Sequence, residues 1–127
     1  MRKLRHLVLP LTLGVAGGLL SSQAYPDSAI WVAIFPAIAL VTFAVTRVSP
    51  RASLIVGFFA GLSWYASQIP WMTAYLGPVP WLALSVLEAL IFAMGAYALN
   101  LAYLFFKRHH HTLWSTTALA LSLASIW

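Results

Sequence analysis

The placement of charge constrains this chain more than any other feature of its sequence. All seven Lys and Arg fall in three short clusters: Arg2, Lys3 and Arg5, then Arg47 and Arg51, then Lys107 and Arg108. The long stretches between them are apolar and hold the only two acids, Asp27 and Glu88. With 62% hydrophobic and 7% charged residues, against about 25% charged in an average soluble domain, the chain cannot build a water-facing surface. Its expected solvent is lipid. There the backbone must satisfy its own hydrogen bonds, so apolar runs of this length are expected to be helices.

A net charge of +5 invites a nucleic-acid reading, because clustered cations displace counterions from phosphates. Here the cations punctuate apolar runs instead of forming a patch, which is the pattern that orients membrane helices. No nucleic-acid partner is expected. The chain has no cysteine, which excludes a disulfide, a thiolate nucleophile and a Cys-ligated metal.

The apolar runs predict an all-α, polytopic transmembrane bundle in one domain, with no soluble domain. Four full spans are expected at about 7–24, 29–46, 52–69 and 81–106, with a truncated fifth at 113–127. The first, 18 residues long, rises about 27 Å, close to the hydrocarbon thickness. Its basic start, apolar middle and Ser22-Gln23-Ala24 end also suit a cleavable signal, and the topology downstream is the same either way. Pro36 is expected to kink the second span. The fourth, at 26 residues, must tilt or protrude. The fifth stretch rises only about 22 Å, so the chain is expected to stop inside the bilayer as part of something longer. All seven basic residues lie at the amino terminus and in the 47–51 and 107–111 turns, whereas the 25–28 and 70–80 loops have none. The positive-inside rule therefore puts the amino terminus in the cytoplasm. Tyr25, Trp31, Trp71, Tyr75 and Trp81 then mark the outer interface, and Trp114 the inner one.

Few residues could carry chemistry. Glu88 is the one acid within an expected span, about 10 Å below Trp81 along the helix. It is either a protonated or hydrogen-bonded structural glutamate in a helix interface, or a residue lining a polar lipid pocket with Trp71, Tyr75 and Trp81 near its mouth. The Gly57-x-x-x-Gly61 pair and Gly95 predict close helix packing, and Asn100 predicts an interhelical hydrogen bond. Three consecutive histidines, 109–111, lack the spacing of a metal site and read as a solvated basic loop, so no metal is expected. Ser63 in Gly61-Leu62-Ser63-Trp64 would need a histidine at membrane depth to act as a nucleophile, and every histidine sits at an expected cytoplasmic end. No catalytic set and no cofactor are expected.

From Gly57-Phe58-Phe59-Ala60-Gly61-Leu62, after the basic Arg51, through Ile69-Pro70-Trp71 and Tyr75-Leu76-Gly77 to Pro80-Trp81-Leu82-Ala83-Leu84, the sequence resembles the membrane domain of bacterial apolipoprotein N-acyltransferase. Leu87-Glu88-Ala89-Leu90 continues the likeness in the style of high-GC Gram-positive members. The resemblance runs from about Leu13 to Trp127. It implies a multi-pass enzyme of the bacterial cytoplasmic membrane, whose outer nitrilase-like domain moves an acyl chain from phospholipid to the amino-terminal Cys of a lipoprotein. That domain and its Glu, Lys and Cys have no counterpart here, and neither Glu88 nor Lys107 matches them. The portion present is thereby expected to anchor the enzyme and admit lipid, its partners being membrane phospholipid and, through the missing domain, a lipoprotein. Two other functions stay open: a free-standing membrane partner subunit, for example of a polyprenol-phosphate mannose synthase, and a small transporter using Glu88 and Asn100.

Overall fold

A computed structural model describes residues 2–24 and 30–108. Every regular element among them is helical: α1 (Arg2–Gln23), a 3-10 turn (Trp31–Ala33), α2 (Ile34–Thr46), α3 (Pro50–Gln68), α4 (Met72–Leu76) and α5 (Pro78–Arg108). The expected stretch at 113–127, the histidines at 109–111, Trp114, Tyr25 and Asp27 lie outside the described residues.

Local chemistry explains the helix ends. Ser49 caps α3, its hydroxyl accepting from the Ala52 N–H at 3.4 Å, and Pro50 occupies the first helical position, where a missing N–H costs nothing. Pro36 is the third residue of α2 and follows the 3-10 turn. The proline thus sits at a change from 3-10 to α winding, in the first turn of the helix and not midway along a span. The 70–80 loop expected from sequence holds a short helix, α4, and α5 begins inside it at Pro78. Gly77 separates the two at φ 83° and ψ 175°, a region open almost only to glycine.

α5 has 31 residues and extends about 46 Å. It is long and apolar enough to cross a membrane, and the apolar stretch Trp31–Thr46 is shorter.

The helices meet through small residues. α3 lies between α1 and α5, and α2 packs on α1. On one side of α3, Gly14 of α1 faces Val56 and Ala60, while Gly18 lies on the backbone of Ala60 and the Ser63 hydroxyl. On the other side, Gly57 faces Ala93 and Ala96, and a Cβ at Gly61 would lie 2.8 Å from the Phe92 Cβ. Gly17 of α1 abuts Ala37 and Val41 of α2. These pairings run α1 antiparallel to α2, parallel to α3, and α3 antiparallel to α5. The core is narrow: Val41, Ala44, Val45, Val56, Ala60, Trp64, Phe92, Ala96 and Leu99. Trp64 stacks on Tyr65 at 5.0 Å and meets Phe92 edge-on at 5.9 Å.

Large apolar side chains point outward instead. Phe35, Phe43, Phe59, Leu87, Ile91, Met94, Leu101 and Phe105 are all exposed, the reverse of a protein that buries its largest groups in water.

Asn100 is fully buried. Its side-chain amide donates to the carbonyls of Val45 at 2.6 Å and Val48 at 3.0 Å, and Thr46 Oγ1 donates to the Thr42 carbonyl at 2.8 Å. Asn100 thus satisfies the Val45 carbonyl, which the end of α2 leaves without a helical donor, and the Val48 carbonyl of the turn that follows. α5 thereby ties down the α2–α3 turn.

Two substitutions test this packing. Helix propensity alone has Gly57→Ala stabilising by about 1 kcal/mol. Against Ala96 and Ala93 it is expected to destabilise by about 1–3 kcal/mol, so the sign of the change in unfolding free energy in detergent decides. Asn100→Leu should cost about 1–2 kcal/mol in the same measurement, because two carbonyls lose their donor; an unchanged midpoint would show the hydrogen bonds contribute nothing net.

Candidate functional site

The sequence-derived candidates fall into two groups at opposite ends of the helices. Trp71, at the N-cap of α4, and Tyr75, one turn on, meet edge-on at 6.2 Å and are exposed. α4 packs against α5, on which Trp81 is half-buried with its indole N–H enclosed and without a hydrogen-bond partner among the described residues. Ser85, one turn on, is buried and returns its hydroxyl to the Trp81 carbonyl at 2.9 Å. Glu88 is seven residues after Trp81, two turns along the same face, and half-buried. Among the described residues it has neither an ion-pair nor a hydrogen-bond partner. The structure therefore aligns Trp81 and Glu88 on one face and brings α4 beside that helix. Among the described residues no group of three His, Cys, Asp or Glu could hold a metal ion.

The packing candidates divide differently. Gly57 and Gly61 are buried against α5. The α5 surface they meet is made by Ala89, Phe92, Ala93 and Ala96, while Gly95 beside it is half-buried. Asn100 lies at the far end, on the α2–α3 turn. Ser63 donates its hydroxyl to the Ala60 carbonyl at 2.8 Å and also contacts the Val15 carbonyl at 3.3 Å. Its hydroxyl is thus engaged by backbone, with no histidine in the arrangement.

That far end also contains something the residue pattern alone does not pick out. Two cavities of about 260 and 270 Å³ both have His6 and Arg47 in their walls. The first continues along Leu9, Pro10, Leu13, Phe43 and Ala44. The second is bounded by Leu7, Val48, Ser49 and Ala52. The Arg47 guanidinium carbon lies 4.5 Å from the centroid of the Phe43 ring, an arrangement in which the cation rests on the aromatic face. In the sequence Arg47 signals only a turn and its orientation. The signal that could have found it is the antiparallel pairing of α1 with α2, which brings residue 6 to residue 47.

A family model for the apolipoprotein N-acyltransferase N-terminal domain matches residues 17–127. An apolipoprotein N-acyltransferase of Mycolicibacterium smegmatis is 34% identical over 92 residues, covering 68% of this chain and 16% of that protein. One from Geobacter metallireducens is 30% identical over 100 residues, covering 72% of this chain and 18% of that protein. The chain therefore spans less than a fifth of the length of these curated relatives. No solved structure matches it. With the family model covering most of its length and relatives aligned across two thirds of it, this chain belongs to the apolipoprotein N-acyltransferase family, in which it corresponds to the amino-terminal domain.

Proposed function

We propose that this chain is the amino-terminal membrane portion of a lipoprotein N-acyltransferase, embedded in the bacterial cytoplasmic membrane by several spans with its amino terminus inside. The observation that carries the reading is the family match over 17–127. The helix surfaces support it: glycine and alanine at the contacts, large apolar groups outside. That distribution suits lipid, where close backbone approach and interhelical hydrogen bonds hold helices together and there is no hydrophobic drive to bury Phe or Leu.

In this reading α1, α2, α3 and α5 are the four spans. α3, at 19 residues, rises about 28 Å. The short α2 gains its length from the preceding 3-10 turn, Trp31–Ala33. Arg47, Arg51, Lys107 and Arg108 then lie at the cytoplasmic face, and α4 with Trp71 and Tyr75 at the outer face. Acyl transfer from phospholipid to the amino-terminal Cys of a lipoprotein belongs to the rest of such an enzyme. This portion anchors it, and the outer ends of α4 and α5, with Trp71, Tyr75, Trp81 and Glu88, border the path by which lipid enters.

The absence of native cysteine makes topology directly measurable. In intact cells, a membrane-impermeant maleimide should label Thr73→Cys and leave Ser49→Cys unlabelled until the membrane is permeabilised. Equal labelling of both before permeabilisation would sink the span arrangement. Expression of 1–127 alone in cells depleted of the acyltransferase should leave lipoproteins without their third acyl chain, read by the mass of a lipoprotein amino-terminal peptide. Restored acylation would overturn the assignment of this portion as non-catalytic.

A further inference from the structure

We infer that the basic end of the helices holds one anionic phospholipid, its phosphate between Arg47 and His6 and an acyl chain along Leu9, Leu13 and Phe43. The inference rests on the membrane placement proposed above and concerns the face opposite α4. Its basis is the pair of adjoining cavities that share His6 and Arg47. One is walled chiefly by apolar side chains of α1 and α2. The other reaches Ser49 and Ala52, the cap and first turn of α3.

A phospholipid has the same division, an anionic head joined to an apolar chain. Arg47 offers a planar, permanently charged donor set suited to a phosphate. His6 adds ring donor capacity, and the positive end of the α3 dipole points the same way. Glu88, the acid among the described residues, lines neither cavity. Glu88 precedes Asn100 on α5 by twelve residues, about 18 Å along the helix from the α2–α3 turn that Asn100 caps. The apolar wall selects lipid over free phosphate, since an inorganic anion gains nothing from Leu9, Leu13 or Phe43. Bound there, the lipid bridges α1 to the α2–α3 turn. It would fasten the start of α1 at the place where Pro10 removes a helical hydrogen-bond donor.

The test uses the full chain. Alkaline carbonate extraction comes first: release from the membrane would overturn the membrane reading itself. With the chain retained and purified in a neutral detergent, native mass spectrometry counts bound molecules during titration with phosphatidylglycerol, phosphatidylcholine or inorganic phosphate. The expected result is one phosphatidylglycerol bound at least about tenfold more tightly than phosphatidylcholine, with no displacement by inorganic phosphate. Arg47→Gln should weaken phosphatidylglycerol more than about tenfold. Arg51→Gln, the same charge change on a residue lining neither cavity, should weaken it by no more than the roughly fivefold of a surface cation. Leu9→Trp, which fills the apolar wall, should also weaken it, and it decides the matter if Arg47→Gln does not purify folded. Equal binding of the two lipids, equal losses from the two arginine variants, displacement by phosphate, or binding unaffected by Leu9→Trp would each overturn the lipid site while leaving the membrane reading standing.

Discussion

The structure depends on α3 being thin on two sides at once. Gly57 and Gly61 let α5 approach on one face, and Ala60 with Val56 receives Gly14 and Gly18 of α1 on the other. A bulky residue at 57 or 61 would hold α5 away, and one at 60 would hold α1 away. Because α3 is the element between α1 and α5, its small residues set the spacing of the whole arrangement. α2 is then placed secondarily, by Gly17 against Val41 and by the Asn100 amide donating to the Val45 carbonyl.

Such packing is mechanically different from a water-soluble core. A soluble helical domain of this size would gather its Phe and Leu inward, because burial of each large apolar group contributes about 1.5–3 kcal/mol. Here the core is mostly alanine, valine and glycine, with Trp64, Phe92 and Leu99 as its large members. In lipid the outward Phe and Leu cost nothing, and specificity passes to short-range contact and to the few buried polar groups. Asn100 and Ser63 are such groups: each reaches the backbone of another helix.

The helical character, the membrane-length α5 and the family were readable from apolar runs, charge placement and the 57–84 motifs, because each is a property of local sequence. The contact role of a Gly-x-x-x-Gly pair is likewise suggested by spacing alone, although the partner is not. Nothing in the sequence says that Ala89, Phe92, Ala93 and Ala96 meet that pair while the adjacent Gly95 is only half-buried. A 100° step per residue decides that, and helix phase is invisible in a nearly uniform apolar run. The 70–80 segment reads as loop because prolines and Gly77 dominate it. Yet Pro78 and Pro80 lie in the first turn of α5, where proline is compatible with a helix, and the segment is interrupted only by the Pro70-Trp71 turn and by Gly77. The cavities with His6 and Arg47 were unreadable for a different reason. They join residues 41 positions apart, and Arg47 does not differ in kind from the other cations that mark loop ends.

The two ends of the molecule are built for different demands. At the end with Arg47, the chain reverses through a short turn whose start is capped by Asn100 and whose finish is capped by Ser49. At the other end α3 passes through Ile69 to Trp71 into the five-residue α4, then through Gly77 into α5. Trp71, Tyr75, Leu76 and Val79 stay largely exposed, at 59%, 80%, 63% and 76%. In the placement proposed above, the aromatic rings with polar tips are favoured where lipid meets water, whereas Leu76 and Val79 gain nothing from that position. An apolar surface of this kind on a short, glycine-hinged element is well suited to repacking against lipid or further protein. In an enzyme family whose members extend far beyond the region matched here, the tightly capped end supplies a fixed base, and the α4 end is where adjustment is physically cheapest.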